Sequence, residues 1–206
     1  MILGLCGAIQ AGKSTCANYL CENYEGYKQY SFADALKESC AKNNPDIPKE
    51  EFGWTGKDWS GLKTEPGRVK LQEHGQSERD KNINCWLDIT FDKIAQEKPD
   101  IAIIPDCRHI NEIQKVIDND GMMVYISRES KEEEFIQDYV KTNKIHPSEC
   151  SWRLWMVKNV TFMTRLYEIN PMTILTTLDN NETMDYTKDQ LNELDYRIQL
   201  ILEKVH

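Results

Sequence analysis

The sequence lacks the features that would place a protein in a membrane or in an oxidising compartment. No run of apolar residues approaches the ~20 that are needed to span a bilayer. The chain begins directly with an apolar segment, without a basic leader or a cleavage site, so we expect no targeting signal. The seven cysteines include no C-x-x-C pair, which favours free thiols in a reducing cytosol over disulfides or a zinc site. We therefore expect a cytoplasmic protein.

The chain has fewer basic than acidic residues. The chain has 25 lysines and arginines against 34 aspartates and glutamates, which gives a formal net charge of −9. Non-specific binding to nucleic acid depends on neutralising phosphates with Lys and Arg, so this balance argues against stable nucleic-acid binding while leaving room for a local basic cleft. A length of 206 residues with 40% hydrophobic content predicts one globular domain over residues 1–206.

The sequence does contain a complete G-x-x-x-x-G-K-[ST] motif, from Gly7 to Ser14, which we call the phosphate loop. The apolar residues 1–6 before it predict a buried strand, and apolar residues at helical spacing predict a helix over residues 13–23. A loop in this context directs its N–H groups and the helix N-terminus at phosphates, so we expect that Lys13 can reach the β- and γ-phosphates and that the Ser14 hydroxyl can hold Mg²⁺. A chance glycine–lysine turn would not need the flanking strand and helix. The sequence therefore predicts a nucleoside triphosphate site.

Strand and helix signals alternate along the rest of the chain, which predicts a parallel sheet covered by helices on both faces. Glycines and prolines interrupt the pattern over residues 43–67, which we interpret as an irregular excursion. Further strands are predicted at residues 27–32, 101–105, 122–127 and 172–178, and helices at 33–42, 68–74, 84–97, 110–119, 129–138, 151–169 and 187–205.

Charged residues follow two of the predicted strands. Asp106 and Arg108 come after the strand at 101–105, and Arg128 ends the strand at 122–127. Open parallel sheets bind ligands at the carboxyl ends of their strands. A carboxylate there can orient a metal ion or receive a substrate hydroxyl, and the planar arginine fork suits phosphate. The alternatives are a helix N-cap at Asp106 and surface ion pairs at the two arginines.

The phosphate loop is the first of an ordered series of motifs that extends from Met1 to about Glu149. In chain order they are Gly7…Lys13-Ser14-Thr15, Ser31-Phe32-Ala33-Asp34-Ala35-Leu36-Lys37, Gly67-Arg68…Leu71-Gln72…Gly75, Trp86, Pro105-Asp106-Cys107-Arg108…Asn111-Glu112, Ile126-Ser127-Arg128 and His146-Pro147-Ser148-Glu149. This series resembles the phage-type deoxynucleoside monophosphate kinases, which belong to the nucleoside and nucleotide kinases of the P-loop NTPase class.

The resemblance implies a three-layer α/β fold, with a parallel sheet of about five strands and helices on both faces. It implies ATP over the phosphate loop, Mg²⁺, a deoxynucleoside monophosphate as the acceptor, and in many members a homodimer. For a phage-encoded chain, the compartment would be the host cytoplasm. The segment 177–181 would border the adenine.

The resemblance also assigns roles to individual residues. Ser14 and Asp106 would hold the metal, and Lys13, Arg68, Asp106 and Arg128 would be catalytic. The residues implied to bind ATP are Gly7, Ala8, Ile9, Gln10, Ala11, Gly12, Lys13, Ser14, Thr15 and Arg128. Those implied to bind the acceptor are Asp34, Arg68, Gln72, Trp86, Asp106 and Arg108.

Two segments depart from the family pattern. They are the excursion at 43–67 and the aromatic stretch at 151–170, which lies within a predicted lid and helical insertion over 129–170. Both are expected to border the acceptor, so two alternatives stay open. The first is a kinase for another acceptor, such as a hydroxymethylated base in DNA, phosphomevalonate or dephospho-coenzyme A. The second is an ATPase or nucleotide-gated binding module that acts on a partner.

Overall fold

The computed structural model describes residues 1–129, 131, 176–181 and 183–205. The chain divides into two compact units, of which the first comprises Met1–Gln29 and Pro99–His206 and the second comprises Tyr30–Lys98. The single kinase domain over residues 1–206 stays a prediction. The predicted helices at 129–138 and 151–169 and the cluster at 146–149 lie outside the described residues, apart from positions 129 and 131.

Five strands form the centre of the first unit, namely β1 at Ile2–Cys6, β2 at Tyr27–Gln29, β3 at Ile101–Ile104, β4 at Met122–Ser127 and β5 at Thr176–Asp179. They pair into a parallel sheet in the order β2-β3-β1-β4-β5. Leu3 of the central strand β1 pairs with Ile103 on one side and with Met122 on the other. The loop that follows β1 therefore emerges at the middle of the carboxyl edge of the sheet.

Helices cover both faces of this sheet. Leu3 and Leu5 point to one face, where they pack with buried residues of α1 at Lys13–Asn23 and α6 at Met184–Val205. Gly4 points to the other face, where an added Cβ would lie 2.6 Å from the Met123 sulfur. Helix α5 at Ile110–Asp118 packs on this second face against β1 and β4. The predicted class, a parallel α/β sheet of about five strands with helices on both faces, is confirmed.

The second unit is helical. It contains α2 at Phe32–Asn43, a short 3₁₀ helix at Lys49–Phe52, α3 at Glu65–Lys81 and α4 at Cys85–Glu97. Its core includes the fully buried Phe52, together with Trp59 and Leu71. The rings of Phe32 and Phe91 stack with their centroids 6.5 Å apart, and this contact joins α2 to α4.

Helix α3 is the largest difference from the sequence prediction, which places a helix only at 68–74. It begins at Glu65 because the Thr64 hydroxyl accepts a hydrogen bond from the Gly67 N–H and a proline fits its first turn. Its buried positions, Gly67, Leu71 and Gly75, are spaced four residues apart on one face of the helix. Two of these three residues are glycines. The predicted excursion therefore ends earlier, because small residues rather than large apolar ones form the packed face.

Two other boundaries differ from the prediction. The predicted strand at 27–32 ends at Gln29, because Ser31 is the N-cap of α2 and its hydroxyl accepts from the Asp34 N–H at 3.3 Å. The predicted helix at 187–205 begins earlier, at Met184.

Within the described ranges, no helix combines the length and the apolar character that a membrane span requires.

A buried hydrogen bond between β2 and α6 allows a test of the packing in the first unit. The Tyr27 hydroxyl donates to the Asp195 carboxylate at 2.8 Å, and burial raises the pKa of Tyr27, with Asp195 adding to the effect. Tyr27→Phe removes a donor from a buried carboxylate, so we expect the free energy of unfolding to fall by about 1.5–3 kcal/mol in urea denaturation. The control Tyr196→Phe changes a residue of α6 that is 60% exposed, and should have little effect. Equal losses in the two variants would contradict this packing.

Candidate phosphate-binding site

The phosphate loop connects β1 to α1 in a conformation that needs glycine at two positions. Gly7 has φ +146° and Gly12 has φ +101°, while Gln10 adopts φ +60°. An added Cβ at Gly7 would overlap the backbone oxygen of Ile126 in β4, and one at Gly12 would overlap the Asn180 side-chain amide. The loop therefore lies directly against the ends of β4 and β5, and glycine permits both the approach and the backbone angles.

Lys13 is buried inside this loop, with only 7% of its surface exposed. Its ammonium donates to the Gly7 carbonyl oxygen at 2.9 Å and to the Ala8 carbonyl oxygen at 2.6 Å. A buried charge requires such partners, because leaving water without them is costly. The two loop carbonyls thus hold the positive charge of Lys13 against the backbone of the loop.

The N-terminus of α1 adds to this positive potential. The helix begins at Lys13, its N-cap is Gly12, and its first turn contains no acidic residue. The first N–H groups of a helix have no partner within the helix and carry partial positive charge, so they favour an anion. Ser14 and Thr15 are exposed in this first turn. The arrangement is suited to binding phosphate.

Side chains from the ends of β4 and β5 also bind the loop. Arg128 follows β4, and its guanidinium donates to the Gln10 carbonyl oxygen at 3.3 Å. Asn180 follows β5, and its amide donates to the Ala11 carbonyl oxygen at 2.7 Å. From the sequence, Asn180 is predicted only as part of the segment 177–181 that would border the adenine. Its position after a predicted strand is the same signal that drew attention to Asp106, and it points to the same edge of the sheet.

A cavity of about 260 Å³ lies beside the loop. Cys16, Met184 and Leu191 give it an apolar wall, and burial raises the pKa of the Cys16 thiol to about 11, so this thiol is uncharged at neutral pH. The predicted contact of segment 177–181 with adenine stays a prediction, although two of its residues reach the cavity. The lining residues are Gly12, Thr15, Cys16, Tyr19, Arg128, Asn180, Asn181, Met184, Thr187 and Leu191.

Asp106 and Arg108 lie at the carboxyl end of β3, next to β1. Gly4 pairs with Ile104, so Asp106 stands two residues beyond the last pair of these strands, and it is half-buried. The N-cap of α5 is His109, where the Glu112 carboxylate accepts the backbone N–H groups of Arg108 at 2.6 Å and of His109 at 2.9 Å. The alternative of Asp106 as the N-cap of α5 is therefore wrong.

The other residues predicted to bind the acceptor lie in the second unit. The Asp34 carboxylate accepts a hydrogen bond from the Lys37 ammonium at 2.8 Å, and Lys37, which is buried, also donates to the Trp59 carbonyl oxygen at 2.8 Å. Arg68 and Gln72 are exposed on α3. Lys37 thus holds the Asp34 carboxylate in one position, and Arg68 and Gln72 are accessible to a ligand.

Trp86 is 2% exposed, and its indole N–H has no hydrogen-bond partner among the described residues. The hydroxyl of Thr90, one helical turn later on α4, is also buried and without a partner in the described part of the chain. The His74 ring lies 5.7 Å from the Trp86 indole and bonds to the Ser39 hydroxyl at 2.9 Å. A buried polar group without a partner costs about 1–3 kcal/mol, so this pair is a candidate for completion by a ligand or a water molecule. The apolar periodicity of α4 gave no signal for Thr90.

No protein-family model and no curated protein matches the sequence. Among solved structures, the chain resembles the crystal structure of TT1252 from Thermus thermophilus, with 15% identity, a TM-score of 0.46, and coverage of 96% of this chain and 97% of that one. It also resembles shikimate kinase from Acinetobacter baumannii in complex with shikimate, with 13% identity, a TM-score of 0.39, and coverage of 98% and 93%. At these identities and scores, neither likeness informs the chemistry of this protein.

The requirement for glycine at position 7 can be tested against a matched glycine. Gly7→Ala places a Cβ on the backbone of β4 at a positive φ, so we expect the variant to lose more than about 2 kcal/mol of unfolding free energy and to bind Mg·ATP more weakly. Gly56 also has a positive φ, of +91°, but a Cβ added there would meet nothing within 4 Å. The control Gly56→Ala should lose less stability and bind Mg·ATP like the parent protein. The two variants are compared by urea denaturation and calorimetric titration, and identical behaviour would refute the close approach at Gly7.

Proposed function

We propose that this protein is a phosphotransferase that moves the γ-phosphoryl group of ATP to the 5′-phosphate of a deoxynucleoside monophosphate. The observation that carries the proposal is the buried Lys13 ammonium, held by the Gly7 and Ala8 carbonyls in a complete phosphate loop. A cavity lies directly beside that loop, as a nucleoside attached to the phosphates would require. The acceptor comes from the family resemblance of the ordered motifs.

On the donor side, the chain supplies charge and N–H groups in place. Lys13 and the N-terminus of α1 would neutralise the phosphates, and Arg128 already lies against the loop. Ser14 exposes a hydroxyl, and Asp106 offers a half-buried carboxylate at the end of the neighbouring strand. Oxygen ligands of this kind suit Mg²⁺, so these two residues fit the metal that the resemblance implies. Bound Mg²⁺ would neutralise charge on the phosphates.

On the acceptor side, the second unit contributes polar groups that suit a nucleotide. The Trp86 indole N–H and the Thr90 hydroxyl are buried without partners among the described residues, which is consistent with a ligand that completes them. Lys37 holds the Asp34 carboxylate in place. Arg68 is exposed, and its guanidinium suits a phosphate oxygen pair.

The proposed reaction needs no protein nucleophile. Phosphoryl transfer depends mainly on positioning the two substrates and on neutralising charge in the transition state. Lys13, Arg68 and Arg128 are assigned to that charge, and Asp106 is assigned to the metal or to the acceptor. The predicted homodimer, the cytoplasmic location and the roles of Gln72 and Arg108 at the acceptor stay predictions.

The direct test is turnover with a panel of acceptors. The protein is incubated with ATP, Mg²⁺ and each nucleoside monophosphate in deoxy and ribo form, and the products are separated by ion-exchange chromatography. We expect a deoxynucleoside diphosphate with at least one acceptor. Lys13→Ala should lower this turnover by about a hundredfold or more with an unchanged circular dichroism spectrum. Release of inorganic phosphate alone, at a rate that no monophosphate alters, would instead indicate the ATPase or binding module.

A second experiment separates the acceptor from the donor. Arg68→Ala should raise KM for the deoxynucleoside monophosphate by about tenfold or more, because a guanidinium–phosphate pair is among the stronger ionic contacts. KM for ATP should stay within about twofold of the parent value, because Arg68 is proposed to contact only the monophosphate. Lys70→Ala is the control, because Lys70 lies on the same helix and pairs with Glu73 at 3.4 Å. Equal effects of Arg68→Ala on both substrates would remove Arg68 from the acceptor assignment.

A further inference from the structure

Asn180 links three parts of the first unit that are far apart in sequence. Its backbone N–H donates to the Ser127 carbonyl oxygen at 2.8 Å, which fixes it where β4 and β5 end. Its side-chain N–H donates to the Ala11 carbonyl oxygen at 2.7 Å. Its side-chain oxygen accepts from the Thr187 hydroxyl of α6 at 2.9 Å. Both ends of the amide are therefore bonded within the protein.

These bonds define which way the amide faces. The Ala11 carbonyl can only accept, so the nitrogen of the Asn180 amide must face it. The oxygen of the amide then faces Thr187, which is 2% exposed and held on the first turns of α6. Thr187 thus restrains the Asn180 amide through this bond, and within the described part of the chain it makes no hydrogen bond to the phosphate loop itself.

The contact with Ala11 also orients the next N–H group of the loop. In a planar trans peptide, the carbonyl of Ala11 and the N–H of Gly12 point in opposite directions. Because Asn180 holds the carbonyl, the Gly12 N–H is directed away from the Asn180 side chain. Gly12 immediately precedes Lys13 and the N-terminus of α1, where an anion is favoured.

The contact between Asn180 and the loop requires glycine at position 12. A Cβ at position 12 would overlap the Asn180 amide nitrogen, so glycine is required there for a reason beyond its φ of +101°. Asn180, Thr187 and Gly12 all line the cavity beside the loop. The same side chain therefore forms a wall of the cavity and holds the shape of the loop.

We propose that Asn180 is a positioning residue that keeps the phosphate loop in its polyphosphate-binding shape, and that Thr187 acts through it. This inference rests on the proposed function only in taking the ligand of the loop to be a polyphosphate. Asn180 reaches the ligand through the Ala11–Gly12 peptide, so its contribution does not depend on a nucleobase. Removing it weakens the binding of any polyphosphate, whether or not a nucleoside is attached.

The test uses inorganic tripolyphosphate, which has no base, alongside Mg·ATP. Both are titrated calorimetrically into the full-length parent, Asn180→Ala, Thr187→Val and the double variant, each checked by a melting curve. Asn180→Ala should bind both ligands about three- to tenfold more weakly, the range expected for one lost hydrogen bond. Thr187→Val should lower the affinity for both ligands about two- to threefold. The double variant should bind about as weakly as Asn180→Ala alone, because Thr187 acts through the Asn180 side chain. KM for ATP should rise by the same factor as the loss in ATP binding, with KM for the acceptor unchanged.

Asn119→Ala is the matched control. Its side-chain amide also donates to a backbone carbonyl, that of Lys115 at 2.7 Å, but at the exposed end of α5. This variant should bind both ligands like the parent. If Asn180→Ala fails to fold, Thr187→Val carries the test alone, since it keeps the volume of the side chain.

The outcomes separate this inference from the proposed function. If Asn180→Ala binds ATP weakly but tripolyphosphate normally, Asn180 is only a wall of the nucleoside cavity and the positioning role is refuted. Normal binding of both ligands by Asn180→Ala and by Thr187→Val refutes it as well. A parent protein that binds neither tripolyphosphate nor ATP would overturn the phosphate-binding function itself, and the inference with it.

Discussion

The burial of the Lys13 ammonium is the constraint that shapes the candidate site. Lys13 is only 7% exposed, so its charged ammonium needs hydrogen-bond acceptors inside the protein. The Gly7 and Ala8 carbonyl oxygens, turned toward the lysine, are those acceptors. That turn requires positive φ angles and a loop pressed against β4 and β5, which only glycine allows at positions 7 and 12. The lysine, the glycines and the order of the strands are therefore parts of one arrangement.

The sheet gives this arrangement a fixed base. Strand β1 is central, so the ends of β3, β4 and β5 lie to either side of the loop it feeds. Each end supplies a polar residue, namely Asp106, Arg128 and Asn180, and the last two bind loop carbonyls directly. A phosphate group would thus meet a positively charged surface whose shape is set before the ligand arrives, which is the condition for electrostatic stabilisation of a transition state.

The sequence was sufficient for features with local signals and insufficient for those that depend on distant partners. The strand, loop and helix around Lys13 were predictable, because the apolar periodicity and the motif lie together in one continuous segment of 23 residues. Helix α3 was underestimated, because glycines at positions 67 and 75 form its packed face and carry no apolar signal. The contact of Asn180 with Ala11 joins residues that are 169 positions apart, so local sequence patterns place Asn180 at the edge of the sheet but do not predict its partner.

The central proposal is that this chain binds both a nucleoside triphosphate donor and a deoxynucleoside monophosphate acceptor. The most direct measurement is the affinity of a dinucleoside polyphosphate that joins adenosine to the preferred deoxynucleoside through five phosphates. If both sites are engaged at once, it should bind with one-to-one stoichiometry and about a hundredfold or more tighter than ATP or the monophosphate alone. An affinity no greater than that of ATP, with the deoxynucleoside end contributing nothing, would contradict the proposed phosphotransferase.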